Sequence, residues 1–162
     1  MIRNDTDYAL RMLVHLAGRS PREASASELS CGLGVPHGFA QKILRRLSAG
    51  GILRARPGRH GGFTLDRSLE NVSLMDVIAA IQGPPLLNRC LGAPDSCSRQ
   101  VSCRIQASLR PFQEELDAFL CATTLSDILT QPPARSPQAQ RARSRAGLMP
   151  TLPRGSSKKG PL

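Results

Sequence analysis

Between residues 50 and 62 the chain carries Gly50-Gly51, Pro57-Gly58 and Gly61-Gly62. No helix can run through such a stretch, because glycine is entropically costly in a helix and proline removes a backbone donor. What survives between the breaks is short and alternating. Ile52-Leu-Arg-Ala-Arg56 and Gly62-Phe-Thr-Leu65 read as two strands, with Leu53 and Ala55 inward against Phe63 and Leu65 and with Arg54 and Arg56 outward. Pro57-Gly58-Arg59-His60-Gly61 makes the basic tip of this hairpin.

Upstream the pattern is helical. Residues 4–18 read as one helix, with Asn4 or Asp5 as the cap, Leu10, Leu13, Val14 and Ala17 at helical spacing, and Gly18 as the stop. Ser25-Ala-Ser-Glu28 is a capping box and opens a short helix to about Cys31. Gly32-Leu-Gly34 supplies a turn, and a third helix follows from about Pro36 to Ala49 with Ile43, Leu44 and Leu47 inside. Helix, glycine turn, helix and hairpin together outline a winged helix-turn-helix, whose second helix presents its N-terminal residues to base edges in the major groove. The candidate DNA contacts are therefore Pro36, His37, Gly38, Gln41, Lys42, Arg45 and Arg46, joined by Arg56, Arg59 and His60 of the wing.

Charge placement supports that reading more than total charge does. The chain is formally +10, but all seven bases beyond residue 130 stand without an acid, and before it fifteen bases face twelve acids. The informative stretch is Lys42 to Arg67, where seven bases accompany one acid, Asp66. That is a phosphate-facing surface, and an arginine at a hairpin tip suits the negative minor groove.

Beyond the wing, Ser73 and Asp76 cap a helix that carries Leu74, Val77, Ile78 and Ile81 on one face and stops at Gly83-Pro84-Pro85. A segment from Cys103 to about Ala122 repeats Leu109, Phe112, Leu116, Phe119 and Leu120 at threes and fours, with Pro111 as a kink or a start and Glu114, Glu115 and Asp117 facing away. A body of this size has little core to cover so apolar a helix, so it is expected to pack against its copy in a homodimer. Thr124-Leu-Ser-Asp127 caps a last turn. The fold class expected is mainly α, with a two-stranded wing and a long C-terminal dimerisation helix. Residues 1–66 form the DNA-binding region, 67–130 the cysteine loop and dimer helix, and 131–162 a disordered basic Pro-rich tail.

Three of five cysteines, Cys90, Cys97 and Cys103, fall in one polar Gly/Pro/Ser loop. An odd number argues against closed disulfides, and thiolates brought to one point suit a metal centre that borrows a further ligand, most commonly an iron–sulfur cluster. A zinc site or a cluster-free thiol switch is the alternative. A thiol redox enzyme is disfavoured, because no Cys-x-x-Cys lies on a βαβ pattern. Cys31 is expected in the core, Cys121 at the dimer interface, and His15 in an ordinary helical position. The first residues lack a signal-peptide pattern, and the apolar run from Leu74 to Ile81 is too short to span a bilayer, so a cytoplasmic protein with reduced thiols is expected.

Thr6-Asp-Tyr-Ala-Leu-Arg11, Leu44-Arg-Arg-Leu with Gly51-Ile-Leu, Gly61-Gly-Phe63 and the cysteine loop before a long helix stand in an order that resembles the Rrf-two (Rrf2) family of winged-helix regulators, of the IscR/NsrR type. The resemblance covers residues 1–130. It implies a cytosolic, homodimeric transcription factor on a roughly palindromic operator, with a [2Fe-2S] or [4Fe-4S] cluster sensing iron, nitric oxide, oxygen or redox state. Cys90, Cys97 and Cys103 match the family's cluster ligands, although the first spacing is six residues where five is more usual. Gln106 stands where IscR-type proteins have a histidine ligand. Asp7 matches the aspartate that NsrR-type proteins supply from the partner's first helix, and Pro57 replaces the family's wing arginine.

Overall fold

The structure is a computed structural model that describes residues 2–19, 22–58, 61–92 and 102–132. Expectations for Cys97, for Arg59 and His60 and for the tail from residue 133 lie outside the described residues.

Four helices meet because each carries an apolar stripe. Met12, Leu13 and Leu16 come from α1 (Asn4–Ala17), Leu29 from α2 (Ala26–Leu33), Ile43, Leu44 and Leu47 from α3 (His37–Ala49), and Val77 and Ile81 from α4 (Leu74–Gln82). These side chains are almost wholly withdrawn from water, each burial contributing about 1.5–3 kcal/mol. Three further helices follow: one turn, α5 (Arg89–Gly92), the long α6 (Arg104–Ala122) and α7 (Leu125–Thr130). A 3-10 turn at Leu69–Asn71 leads from the wing into α4.

The wing strands β2 (Leu53–Ala55) and β3 (Phe63–Leu65) pair antiparallel, Leu53 opposite Leu65 and Ala55 opposite Phe63. Leu53 is buried, but Ala55 is exposed, so only one end of the expected inner face is covered. A third strand, β1 (Glu23–Ala24), lies on the other edge of β3. At two residues it is too short to show any alternation in the sequence. Gly62 permits its approach: a Cβ there would sit 2.9 Å from the Ala24 carbonyl oxygen.

Several boundaries differ from those expected. Arg3 is the N-cap of α1 without a side-chain bond, and Asn4 and Asp5 lie in the first turn. The α2 helix runs through Gly32 to Leu33 and ends at Gly34, whose φ of +64° is the left-handed geometry that glycine tolerates. Cys31 is exposed, not core, because it lies two residues from buried Leu29 and so on another face. Cys90 sits on the helical turn α5 where loop was expected. The α6 helix passes through Pro111 unbroken.

The capping boxes form as the sequence indicates. Ser25/Glu28, Ser73/Asp76 and Thr124/Asp127 are each reciprocal. The last two stand back to back, the Leu74 amide donating to Thr123 O (2.8 Å) and the Leu125 amide to Val72 O (2.9 Å). The Ser25 amide, followed by the Ser25 hydroxyl, holds the Glu28 carboxyl below its ordinary range. A depressed carboxylate stabilises the fold above its unfolded pKa and loses that contribution as pH falls through its folded value. Ser25→Ala should lower the unfolding free energy by about 1 kcal/mol, the ordinary cost of a lost N-cap, while the acid dependence carried first by the Ser25 amide should persist in that variant and disappear in Glu28→Gln, as read by urea titration at neutral and acid pH.

Candidate nucleic-acid interface and cysteine segment

The first turn of α3 projects from the body. Pro36 is its N-cap with no side-chain bond to the turn, and Pro36, His37 and Gly38 are exposed. Helix amides left open in this way, at the positive end of the dipole, favour phosphate. The His37 ring nitrogen Nδ1 lies 3.4 Å from the Ser27 hydroxyl. Gln41 is half-buried, and with His37, Arg56, Gly58 and Phe63 it lines a groove of about 260 Å³ between α3 and the wing. Lys42 and Arg45 are exposed and make no ion pair among the described residues.

The wing arginines are prepaired. Arg54 meets Asp66 at 2.7 Å and Arg56 meets Glu23 at 3.6 Å. Exposed pairs of this kind are worth only about 0.2–1 kcal/mol, so a phosphate can compete for either cation.

Arg46 differs from its neighbours. Its guanidinium donates to the Ile81 carbonyl at 3.0 Å and to Asp5 Oδ2 at 3.4 Å, which ties the end of α3 to the end of α4 and the start of α1. Its side chain, 39% exposed, braces these helix ends from the surface, where helical periodicity alone would leave it without partners.

Cys90 and Cys103 follow α4 in the chain, on α5 and at the start of α6. Cys103 is the N-cap of α6, its Sγ accepting the Gln106 amide at 3.5 Å. Cys90 and Cys103 are both half-buried. The Gln106 side chain, 4% exposed, donates from Nε2 to the Cys90 carbonyl at 2.9 Å. One helical heptad on, Gln113, 6% exposed, accepts the Leu87 amide at 2.8 Å and donates to the Pro85 carbonyl at 2.9 Å. Gln113 escaped sequence reasoning, and Gln106 is marked there only by the histidine ligand whose place it takes. The available signal was their seven-residue spacing, continued by buried Leu120, which puts all three on one face of α6.

Asp7 is exposed on α1 and forms an i,i+4 pair with Arg11 at 2.7 Å, beside an open apolar cavity of about 450 Å³ that Leu10, Val14, His15 and Ile128 also line. Among the described residues, no three His, Cys, Asp or Glu side chains converge as a metal site. Cys121 is exposed. The outer face of α6 is apolar and open: Ile105, Phe112 and Phe119 are 67%, 63% and 62% exposed, with half-buried Leu109 and Leu116 between them.

A helix-turn-helix with a basic wing, followed by a long helix with an open apolar seam, defines a winged-helix DNA-binding regulator. The chain belongs to the Rrf2 family, whose model, described as an iron-dependent transcriptional regulator, matches residues 2–131. It is 34% identical over 131 residues to the HTH-type transcriptional repressor NsrR of Streptomyces coelicolor, covering 78% of this chain and 86% of that one. Its fold is similar to that of CymR, the global cysteine regulator of B. subtilis (TM-score 0.64, 16% identity, 80% of this chain and 96% of that chain), and of T. potens IscR (TM-score 0.62, 15% identity, 88% and 90%). The chain is accordingly a transcriptional regulator and not an enzyme. Among the described residues no helix is long and apolar enough to cross a membrane.

The different settings of the two neighbouring arginines separate their effects. Arg45→Ala should weaken binding to duplexes of any sequence and reduce the salt slope by about 1. Arg46→Ala should instead lower the unfolding free energy by about 1–2 kcal/mol, because Asp5 and the Ile81 carbonyl lose a charged donor that is itself partly solvated. Anisotropy titrations over a salt series and urea unfolding distinguish the two.

Proposed function

We propose that this chain is a cytoplasmic homodimeric repressor whose hold on a roughly palindromic operator depends on an iron–sulfur cluster. Cys90, Cys97 and Cys103 would hold the cluster, with Asp7 of the partner subunit as the fourth ligand. The observation that carries this reading is the setting of Cys103: its sulfur caps a helix and accepts a backbone amide, while the same residue that donates that amide also grips Cys90. A sulfur engaged by a backbone amide at one end of the segment and a fixed backbone at the other fit a centre held by sulfur. The description of the family as iron-dependent and the likeness to a protein named NsrR point the same way. When bound, the cluster supplies an iron centre open to reaction with oxidants or nitric oxide.

The rest is the work of the chain's own side chains. Lys42 and Arg45 neutralise phosphate, the open amides at the start of α3 add to them, and Gln41 with His37 faces the base edges. Arg56, Arg59 and His60 extend the contact along the wing. Ile105, Leu109, Phe112, Leu116 and Phe119 recur at fours and threes, the period of a helix–helix seam, and a second copy covers them. Two-fold symmetry then sets the reading helices on half-sites about 34–36 Å apart. A sulfur capping a helix also suits a thiol switch or a zinc site.

Metal analysis decides among these. Protein reconstituted without air should be brown and should carry both iron and acid-labile sulfide. Colourless protein that retains zinc alone, or neither metal, would contradict the cluster.

A further inference from the structure

We propose that Gln106 is a positioning residue for the cysteine centre, holding Cys90 in register with Cys103 without serving as a ligand. This deepens the cluster reading and rests on it. Two contacts carry the proposal. The backbone amide of Gln106 donates to Cys103 Sγ at 3.5 Å, and its side-chain Nε2 donates to the Cys90 carbonyl at 2.9 Å. One residue thus touches both cysteines that bound the segment. It is almost wholly buried, where a carboxamide must stay bonded, so the Cys90 backbone cannot slide along α6 without leaving polar groups unpaired.

Gln113 extends the arrangement. It fixes the Leu87 amide and the Pro85 carbonyl, so the strap that carries Cys90 is pinned at three backbone groups. Fixing both ends of the segment before the inorganic centre arrives reduces the ordering entropy that binding must overcome. Gln113 touches neither cysteine, and this separates the two glutamines: the lower one positions the ligands, while the upper one only anchors the strap.

The test uses full-length wild type, Gln106→Met, Gln106→Glu and Gln113→Met, all reconstituted anaerobically. Methionine keeps the buried volume without hydrogen bonds, and glutamate keeps length and polarity but removes the Nε2 donor. The measurements are the visible circular dichroism of the bound centre, the rate of iron release to a ferrous chelator, and the thermal midpoint of each apoprotein. Both Gln106 variants should show an altered visible spectrum and release iron roughly tenfold faster or more, the scale typical of losing a group that orients a ligand. Gln113→Met should lower the apoprotein midpoint at least as much, yet leave spectrum and release close to wild type. Gln106 variants indistinguishable from wild type, or a Gln113→Met that matches them, would overturn the proposal alone. A wild type that takes up no iron and sulfide would overturn the cluster reading and this inference with it.

Discussion

The Arg46 guanidinium sits where three helices converge, and the architecture depends on that junction. It bonds the Ile81 carbonyl at the end of α4 and the Asp5 carboxylate at the start of α1, while buried Thr6 and the Arg3 amide both donate to Gln82 Oε1. Asp5 is only 14% exposed and is shared by two cations, Arg3 at 2.9 Å and Arg46 at 3.4 Å, so the carboxylate holds the chain's start and the end of α3 together. The reading helix α3 is thereby fixed to the last turn of α4. From Gln82 the chain turns at Gly83, whose φ is +84°, and enters the strap that Gln113 and Gln106 hold against α6. The reading head and the Cys90 strap thus leave from one braced point.

The two faces of α6 have different tasks. Its inner face carries Gln106, Gln113 and Leu120, which bind the strap and close the core. Its outer face leaves two phenylalanines and an isoleucine in water, an open apolar patch that the proposed second copy would cover. In the proposed function this single helix sets both the cysteine segment and the distance between subunits. A change at its first turn then bears directly on the spacing of two winged heads. A ligand shifts such a balance only by its differential affinity for the two arrangements, so the cluster must favour one spacing over the other.

Much of the fold was legible because its signals are local. The capping boxes at Ser25, Ser73 and Thr124 are four-residue patterns whose chemistry completes itself, and the glycine breaks around the wing leave few other solutions. The features that escaped depend on distant partners. Arg46 reads as an outward base by helical period, and its true partners lie 41 and 35 residues away. Gln106 reads only as the residue in the place of a histidine ligand, and its grip on Cys90 exists only once the strap lies along α6. Strand β1 gains its identity from an edge that β3 offers. Cys31 was placed in the core by residue type, and the phase of α2 turned it outward.

The most direct measurement of the account is the affinity of reconstituted and cluster-free protein for one operator fragment at matched salt. Coupling of about 1–3 kcal/mol predicts that the two forms differ by several-fold to a hundredfold. Equal affinity in the two forms, with the dimer intact in both, would contradict it.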